Sequence, residues 1–175
     1  MEAAKIFDRT RRHENREDLV GEHAFGDAGQ IILLVIFLAV WISDAFFLHY
    51  SDFLSQYIPG FVKIPVAVIL FLGAGYLARN GLRIVFGEVR ETPGVIRKGV
   101  FGRVRHPIYL GAVLVYCGWL VLRFSLAAAL IWIGIMAFYH FLARHEEQLL
   151  LKKFGQEYAD YMREVPMWIP RVTTK

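Results

Sequence analysis

An arginine, a histidine and a proline stand together in Arg105-His106-Pro107-Ile108-Tyr109-Leu110-Gly111, and two carboxylates stand together in Glu146-Glu147. Between them lies an apolar hairpin, so these polar groups fall where a bilayer surface would otherwise be. A set of this kind would suit an enzyme working at a membrane face.

Composition sets the frame for that chemistry. The chain of 175 residues is 56% hydrophobic, with a mean hydropathy of +0.40. Its apolar residues come in long runs, as in a small polytopic membrane protein of one domain. Cys117 is the single cysteine and sits inside an apolar run, which leaves no disulfide framework or thiolate metal site. It reads as a small packing residue. The net charge of +4 is spread beside apolar segments and forms no separate basic patch. Anionic lipid headgroups, and not nucleic acid, are the expected counter-charge. Residues 1–30 form a polar segment of mixed charge without an apolar h-region, so no cleavable secretory signal is expected.

Four apolar stretches predict an all-α fold. Ile31 to Tyr50 and Val62 to Phe86 are long enough to cross a hydrocarbon core of about 30 Å. Ile108 to Leu122 and Leu126 to Leu142 are shorter, and only Arg123-Phe124-Ser125 separates them, so they predict an antiparallel hairpin that spans or dips deeply. Lys and Arg number five before Ile31, none in 51–61, five in 87–106, one in the hairpin turn and six after Leu142. That alternation predicts four crossings with both termini cytoplasmic. The hairpin also fixes heights. His106 lies about 18 residues before the turn and Glu146 about 22 after it, which at roughly 1.5 Å per residue brings them within about 5 Å in height. Pro107 fits the first turn of the incoming helix, whose free amides and partial positive charge suit a carboxylate or phosphate.

Residues 99–111, the hairpin, Glu146-Glu147, Phe154-Gly155-Gln156-Glu157-Tyr158, Tyr161, Val165-Pro166 and Pro170 occur in an order and spacing that resembles the isoprenylcysteine carboxyl methyltransferase and phospholipid methyltransferase superfamily. The resemblance covers about the last half of the chain. It implies S-adenosylmethionine as cofactor, held in a C-terminal region over 90–170 within a single membrane domain, 31–175, and it implies no metal. Cofactor contacts carried over from the family fall on Pro93, Gly94, Val95, Ile96, Phe101, Arg105, His106, Pro107, Ile108, Tyr109, Glu146 and Glu147, with His106 and Tyr109 as aligning groups. Phe101 stands where the family usually has Tyr, which removes a hydroxyl and keeps an aromatic face. Glu146 suits the ammonium or a ribose hydroxyl; His106 or the helix N-terminus suits the carboxylate.

The acceptor is less constrained. Leu142 stands where the prenylcysteine branch carries a substrate-binding Arg, which argues against a farnesylcysteine carboxylate. Arg79, Arg83 and Arg144 are the remaining cations for an anionic headgroup, Arg79 and Arg83 also reading as side chains that snorkel to the interface. A lipid amine, a lipophilic acid and a small thiol stay open as acceptors, and no dedicated base stands out. Two other classes remain, a sterol-reductase-like enzyme that uses NADPH and a non-catalytic membrane adaptor. Asp44 and His49 are expected at the outer interface of the first span. After Glu147, the spacing of Leu150, Phe154, Tyr158, Tyr161 and Met162 predicts an amphipathic helix on the membrane surface that roofs the cofactor.

Overall fold

The computed structural model describes residues 24–86 and 94–170. Four long helices carry the fold: α1 (Ala24–Ser43), α2 (Gly60–Phe86), α3 (Pro107–Leu122) and α4 (Leu126–Phe154), followed by a short α5 (Gln156–Glu164). Single turns at Asp44–Leu48, Phe53–Tyr57 and Gly99–Gly102 occupy the connections, and no strand occurs among the described residues. The chain is an all-α, polytopic membrane protein. Residues 28–48, α2 and α4 are each long and apolar enough to cross a bilayer. Helix α3 is equally apolar but has only 16 residues.

The core joins three of these helices. Phe37 and Trp41 of α1, Val113 and Tyr116 of α3, and Ile135 and Tyr139 of α4 are buried together. Phe37 meets Tyr116 edge to face at 4.8 Å, and Trp41 meets Trp119 at 5.0 Å, the geometry that ring quadrupoles favour. The opposite faces are apolar and bare: Ile69 is 68% and Leu130 71% exposed, as hydrocarbon requires and water would not allow.

Helix α2 packs against α3 through small residues. A Cβ at Gly111 would lie 3.0 Å from the Ala74 carbonyl oxygen, and one at Gly118 would lie 2.6 Å from the Phe71 ring. In lipid no hydrophobic drive brings helices together, so close backbone approach of this kind supplies the contact energy.

At the end where α1 finishes and α4 starts, a polar clamp ties the chain. Asp44 is 3% exposed and accepts the Tyr50 and Ser51 amides at 2.9 and 3.0 Å and the Ser51 hydroxyl at 2.5 Å. Ser51 in turn receives the Leu126 amide on its carbonyl and the Ala127 amide on Oγ. Ser125 caps α4 by accepting the Ala128 amide at 3.1 Å. Three amides that a helix start leaves open are thereby satisfied.

Several boundaries differ from those read in the sequence. Helix α1 begins before the apolar stretch that starts at Ile31: it is already helical at Ala24, and it ends at Ser43 with a π turn to Leu48. Asp44, expected at the interface, is buried because its carboxylate organises the loop. The hairpin's second helix extends beyond the apolar stretch that ends at Leu142. It runs unbroken to Phe154, since no residue in 143–154 interrupts it, and Gly155 ends it at a φ of 54° that favours glycine. The expected amphipathic helix is therefore divided between the end of α4 and the nine-residue α5. Residues 1–23 of the polar N-terminal segment, and Pro93, lie outside the described residues.

The tight α2–α3 contact sets a measurable expectation. Gly111→Leu drives a side chain into the α2 backbone and should lower stability in detergent by about 1–3 kcal/mol. Gly134→Ala, on an open face of α4, should not lower the unfolding transition in the same assay and should raise it slightly, as alanine favours a helix interior over glycine.

Candidate functional site

The His106 site forms where the hairpin closes on itself at the end opposite the Asp44 clamp. His106 precedes α3, its carbonyl accepting the Leu110 amide at 2.9 Å to start the helix. Pro107 at the first helical position loses no hydrogen bond there. Glu147 lies 41 residues away in sequence, yet its Oε1 sits 3.1 Å from His106 Nε2 and 3.1 Å from Arg105 Nε. Glu146 places Oε2 3.6 Å from His106 Nδ1.

The two carboxylates occupy different surroundings. Glu147 is 1% exposed, whereas the Glu146 side chain keeps 34% of its surface. The sequence argument set His106 beside Glu146; the closer partner is Glu147, because α4 turns that side chain inward and Glu146 toward the rim. Burial of an unpaired carboxylate is prohibitive, and here the Arg105 guanidinium and the His106 imidazole, cationic when protonated, offset it. Arg144 Nη1 adds a third at 3.9 Å from Oε2. Burial by itself lowers the His106 pKa, but the facing Glu146 and Glu147 outweigh it and hold it above the ordinary value of 6.5. Burial, together with the charges of Glu147 and Glu146, pushes the Tyr158 phenol far up, so it stays a neutral donor.

Aromatic rings bound the site. Tyr109 stacks on His106 with centroids 5.6 Å apart and planes 4° from parallel. Trp168 approaches His106 at 6.2 Å and donates its indole N–H to His140 Nδ1 at 3.2 Å. The segment that carries Trp168 is tied down by the Arg105 amide, which donates to the Pro166 carbonyl at 3.0 Å. Tyr161 donates to the Phe101 carbonyl at 2.8 Å, and Arg97 donates to the Glu157 carbonyl at 2.7 Å and to Glu164 at 3.0 Å. The Val95 amide donates to Glu157 at 3.3 Å. Residues 94–106, α5 and the tail thus fold over the N-terminus of α3.

The residues singled out in the sequence divide accordingly. Arg105, His106, Pro107, Tyr109, Glu146 and Glu147 come together. Gly94, Val95, Ile96 and Phe101 lie in the segment that α5 covers, and Ile108 packs against Gly81 of α2. Arg79 and Arg83 are not brought to this cluster. Each lies two positions from Gly81, roughly 160° around the helix, so both are exposed on the side of α2 turned away from α3. Arg144 is at the cluster's edge, its side chain 58% exposed. Trp168, His140 and Arg97 were missed as contributors; the signal for Trp168 was a tryptophan just beyond the Val165-Pro166 motif, in an apolar stretch bounded by Pro166 and Pro170.

This donor set fits S-adenosylmethionine. Glu147 Oε2 is buried without a hydrogen-bond partner, and Glu146 offers an accessible carboxylate for an ammonium or hydroxyl. Cationic Arg105 and His106 and the amides at the start of α3 suit a carboxylate, while Tyr109, Phe101 and Trp168 offer flat walls for an adenine.

Comparison with known proteins converges on the same region. Residues 76–157, from the end of α2 to the first turn of α5, match the phospholipid methyltransferase family. The chain is 30% identical over 125 residues to a methanethiol S-methyltransferase of Crocosphaera subtropica, covering 70% of this chain and 48% of that protein. It is 25% identical over 148 residues to a protein-S-isoprenylcysteine O-methyltransferase of Dictyostelium discoideum, covering 80% of this chain and 60% of that one. With the Mus musculus protein of the same name the identity is 28% over 92 residues, or 52% of this chain and 32% of the relative. The chain therefore spans about half the length of the curated relatives it matches. Since the matched segment contains both His106 and the Glu146-Glu147 pair, the chain belongs to the isoprenylcysteine carboxyl methyltransferase and phospholipid methyltransferase superfamily.

Proposed function

We propose that the chain is an integral membrane methyltransferase that uses S-adenosylmethionine to methylate a lipophilic acceptor at the cytoplasmic membrane face. The observation that carries this reading is the buried Arg105, His106 and Glu147 cluster beside the accessible Glu146, at the end of an apolar hairpin, within the segment matched by phospholipid methyltransferases. The distribution of Lys and Arg supports cytoplasmic termini.

The cofactor, when bound, would supply an electrophilic methyl carbon whose in-line transfer to an acceptor releases S-adenosylhomocysteine as the leaving thioether. The chain's own part is alignment and exclusion of water. Glu146 accepts from an ammonium or ribose hydroxyl, and Arg105, His106 and the α3 amides meet a carboxylate. Glu147 locks Arg105 and His106 in place, Tyr109 fixes the imidazole plane, and Trp168 roofs it. A lipophilic acceptor reaches the site sideways from the bilayer with its tail in hydrocarbon. Arg144, at the edge of the cluster, is the cation best placed for an acidic headgroup; Arg79 and Arg83, facing the bilayer, suit guidance of that headgroup toward the helix end. A carboxylate acceptor arrives ionised and needs no base. The methanethiol named for one relative supports thiols as a further acceptor class.

Calorimetry with S-adenosylhomocysteine in detergent tests the reading. Glu146→Gln and His106→Ala should each weaken binding about ten- to hundredfold, as loss of a charged hydrogen bond of about 1.5–3 kcal/mol implies. Binding of NADPH in place of S-adenosylhomocysteine would overturn the assignment. Glu147→Gln should behave differently from Glu146→Gln. It leaves buried cations uncompensated and should cost about 3–5 kcal/mol of stability, seen as a lower unfolding temperature.

The His106 proton gives a pH signature. Its folded pKa is raised above 6.5, so its stabilising contribution is complete below that pH and is lost as pH rises through the folded value. The unfolding temperature of the native chain should therefore fall toward that of His106→Gln as pH climbs from 6.5; a constant gap across that range would refute the protonated form. For acidic lipid acceptors, Arg144→Ala should raise KM while S-adenosylhomocysteine affinity stays level.

A further inference from the structure

The end of the molecule opposite His106 carries its own cationic cleft. From Ile31 to Leu82, Lys63 is the only Lys or Arg besides Arg79, and Arg123 is the only one between Pro107 and Ala143. Lys63 and Arg123, distant in sequence, converge on one cleft of about 410 Å³ that Asp52, Phe53, Ser55 and Gln56 also line. That size is within the range of small-molecule sites.

The charges in this cleft do not balance. Arg123 Nη1 pairs with Asp52 Oδ2 at 3.1 Å, and His49 Nδ1 lies 3.0 Å from the same oxygen. The Lys63 ammonium instead donates to the Ser55 carbonyl at 2.9 Å and the Ser55 hydroxyl at 3.0 Å, both neutral. Among the described residues it has no carboxylate partner. The depth is also distinctive. Tyr50, Tyr57 and Phe61 project here at 87, 74 and 79% exposure, an aromatic belt of the kind that sits at headgroup level. An ammonium without a counter-charge, beside a guanidinium, at the level where lipid phosphates lie, calls for an anion from the bilayer.

We propose that this cleft binds the phosphate of an acidic phospholipid in the leaflet opposite the His106 site. Lys63 supplies the unneutralised charge and Arg123 and Gln56 supply further N–H donors, while the acyl chains descend along the exposed aromatic and aliphatic faces of α1 and α2. Asp52 opposes the ligand and is held in check by Arg123 and His49.

Lipid retention by the full chain, read by native mass spectrometry and by thermal unfolding in detergent, tests this. Phosphatidylglycerol should be retained several-fold more than phosphatidylcholine and should raise the unfolding temperature further. Lys63→Gln should lose most of that difference while unfolding at the wild-type temperature in phosphatidylcholine, and Lys63→Arg should keep it. Asp52→Asn should move retention the other way by removing the opposing charge, which keeps the test decisive if Lys63→Gln folds poorly. Equal retention of the two lipids, or wild-type retention in Lys63→Gln with no gain in Asp52→Asn, would overturn the proposal. So would inorganic phosphate that stabilises the chain as phosphatidylglycerol does.

Discussion

A carboxylate that is almost completely buried is the constraint on which the site end depends. Glu147 cannot be desolvated alone, and its nearest neighbours on α4 leave most of its charge unanswered. The answer comes from the segment before α3, through Arg105 and His106. That requirement fixes where α3 begins relative to α4, holds the imidazole against the Tyr109 ring, and leaves the neighbouring Glu146 at the rim, beside His106 Nδ1 and partly accessible. The Arg105 backbone then pins Pro166, and with it Trp168.

The opposite end uses the same device with different groups. Asp44, also buried, is answered by amides and a hydroxyl, not by cations. Ser51 passes the constraint to the first turn of α4. Each end of the hairpin is thus held by one inward carboxylate, and the apolar middle is left to side-chain shape and to the small residues between α2 and α3. Chemistry is concentrated at the ends, while the membrane-embedded length needs only to fit.

Much of this was legible in the sequence, for identifiable reasons. Long apolar runs have few outcomes in lipid, so helix number and the α3–α4 hairpin followed directly. The hairpin's three-residue turn made height arithmetic possible, and it brought His106 to the Glu146-Glu147 pair. Which of the two turned inward was not legible, because adjacent helical residues differ by only about 100° and the facing surface decides. The height arithmetic already needed helix as far as Glu146, but that the same helix runs on to Phe154 was not legible, because the amphipathic pattern after Glu147 does not show where one helix ends and the next begins. That protein groups and not water answer Asp44 at the end of the first span was not legible, since only the folded loop shows its donors. Trp168 lay beyond any periodic segment and could be assigned a place only once the tail was seen to cross α3.

The brevity of α3 has a consequence for the host membrane. Sixteen residues reach roughly 24 Å, less than a hydrocarbon core of about 30 Å. With its far end level with the start of α4, a helix of this length set in such a core would end short of the aqueous boundary, and the bilayer would then thin locally or sag around His106. The elastic cost of that dimple grows with membrane thickness. Sterol-poor, thinner membranes accommodate the protein at least cost, and thickness itself becomes a variable that sets how deeply the polar end sits.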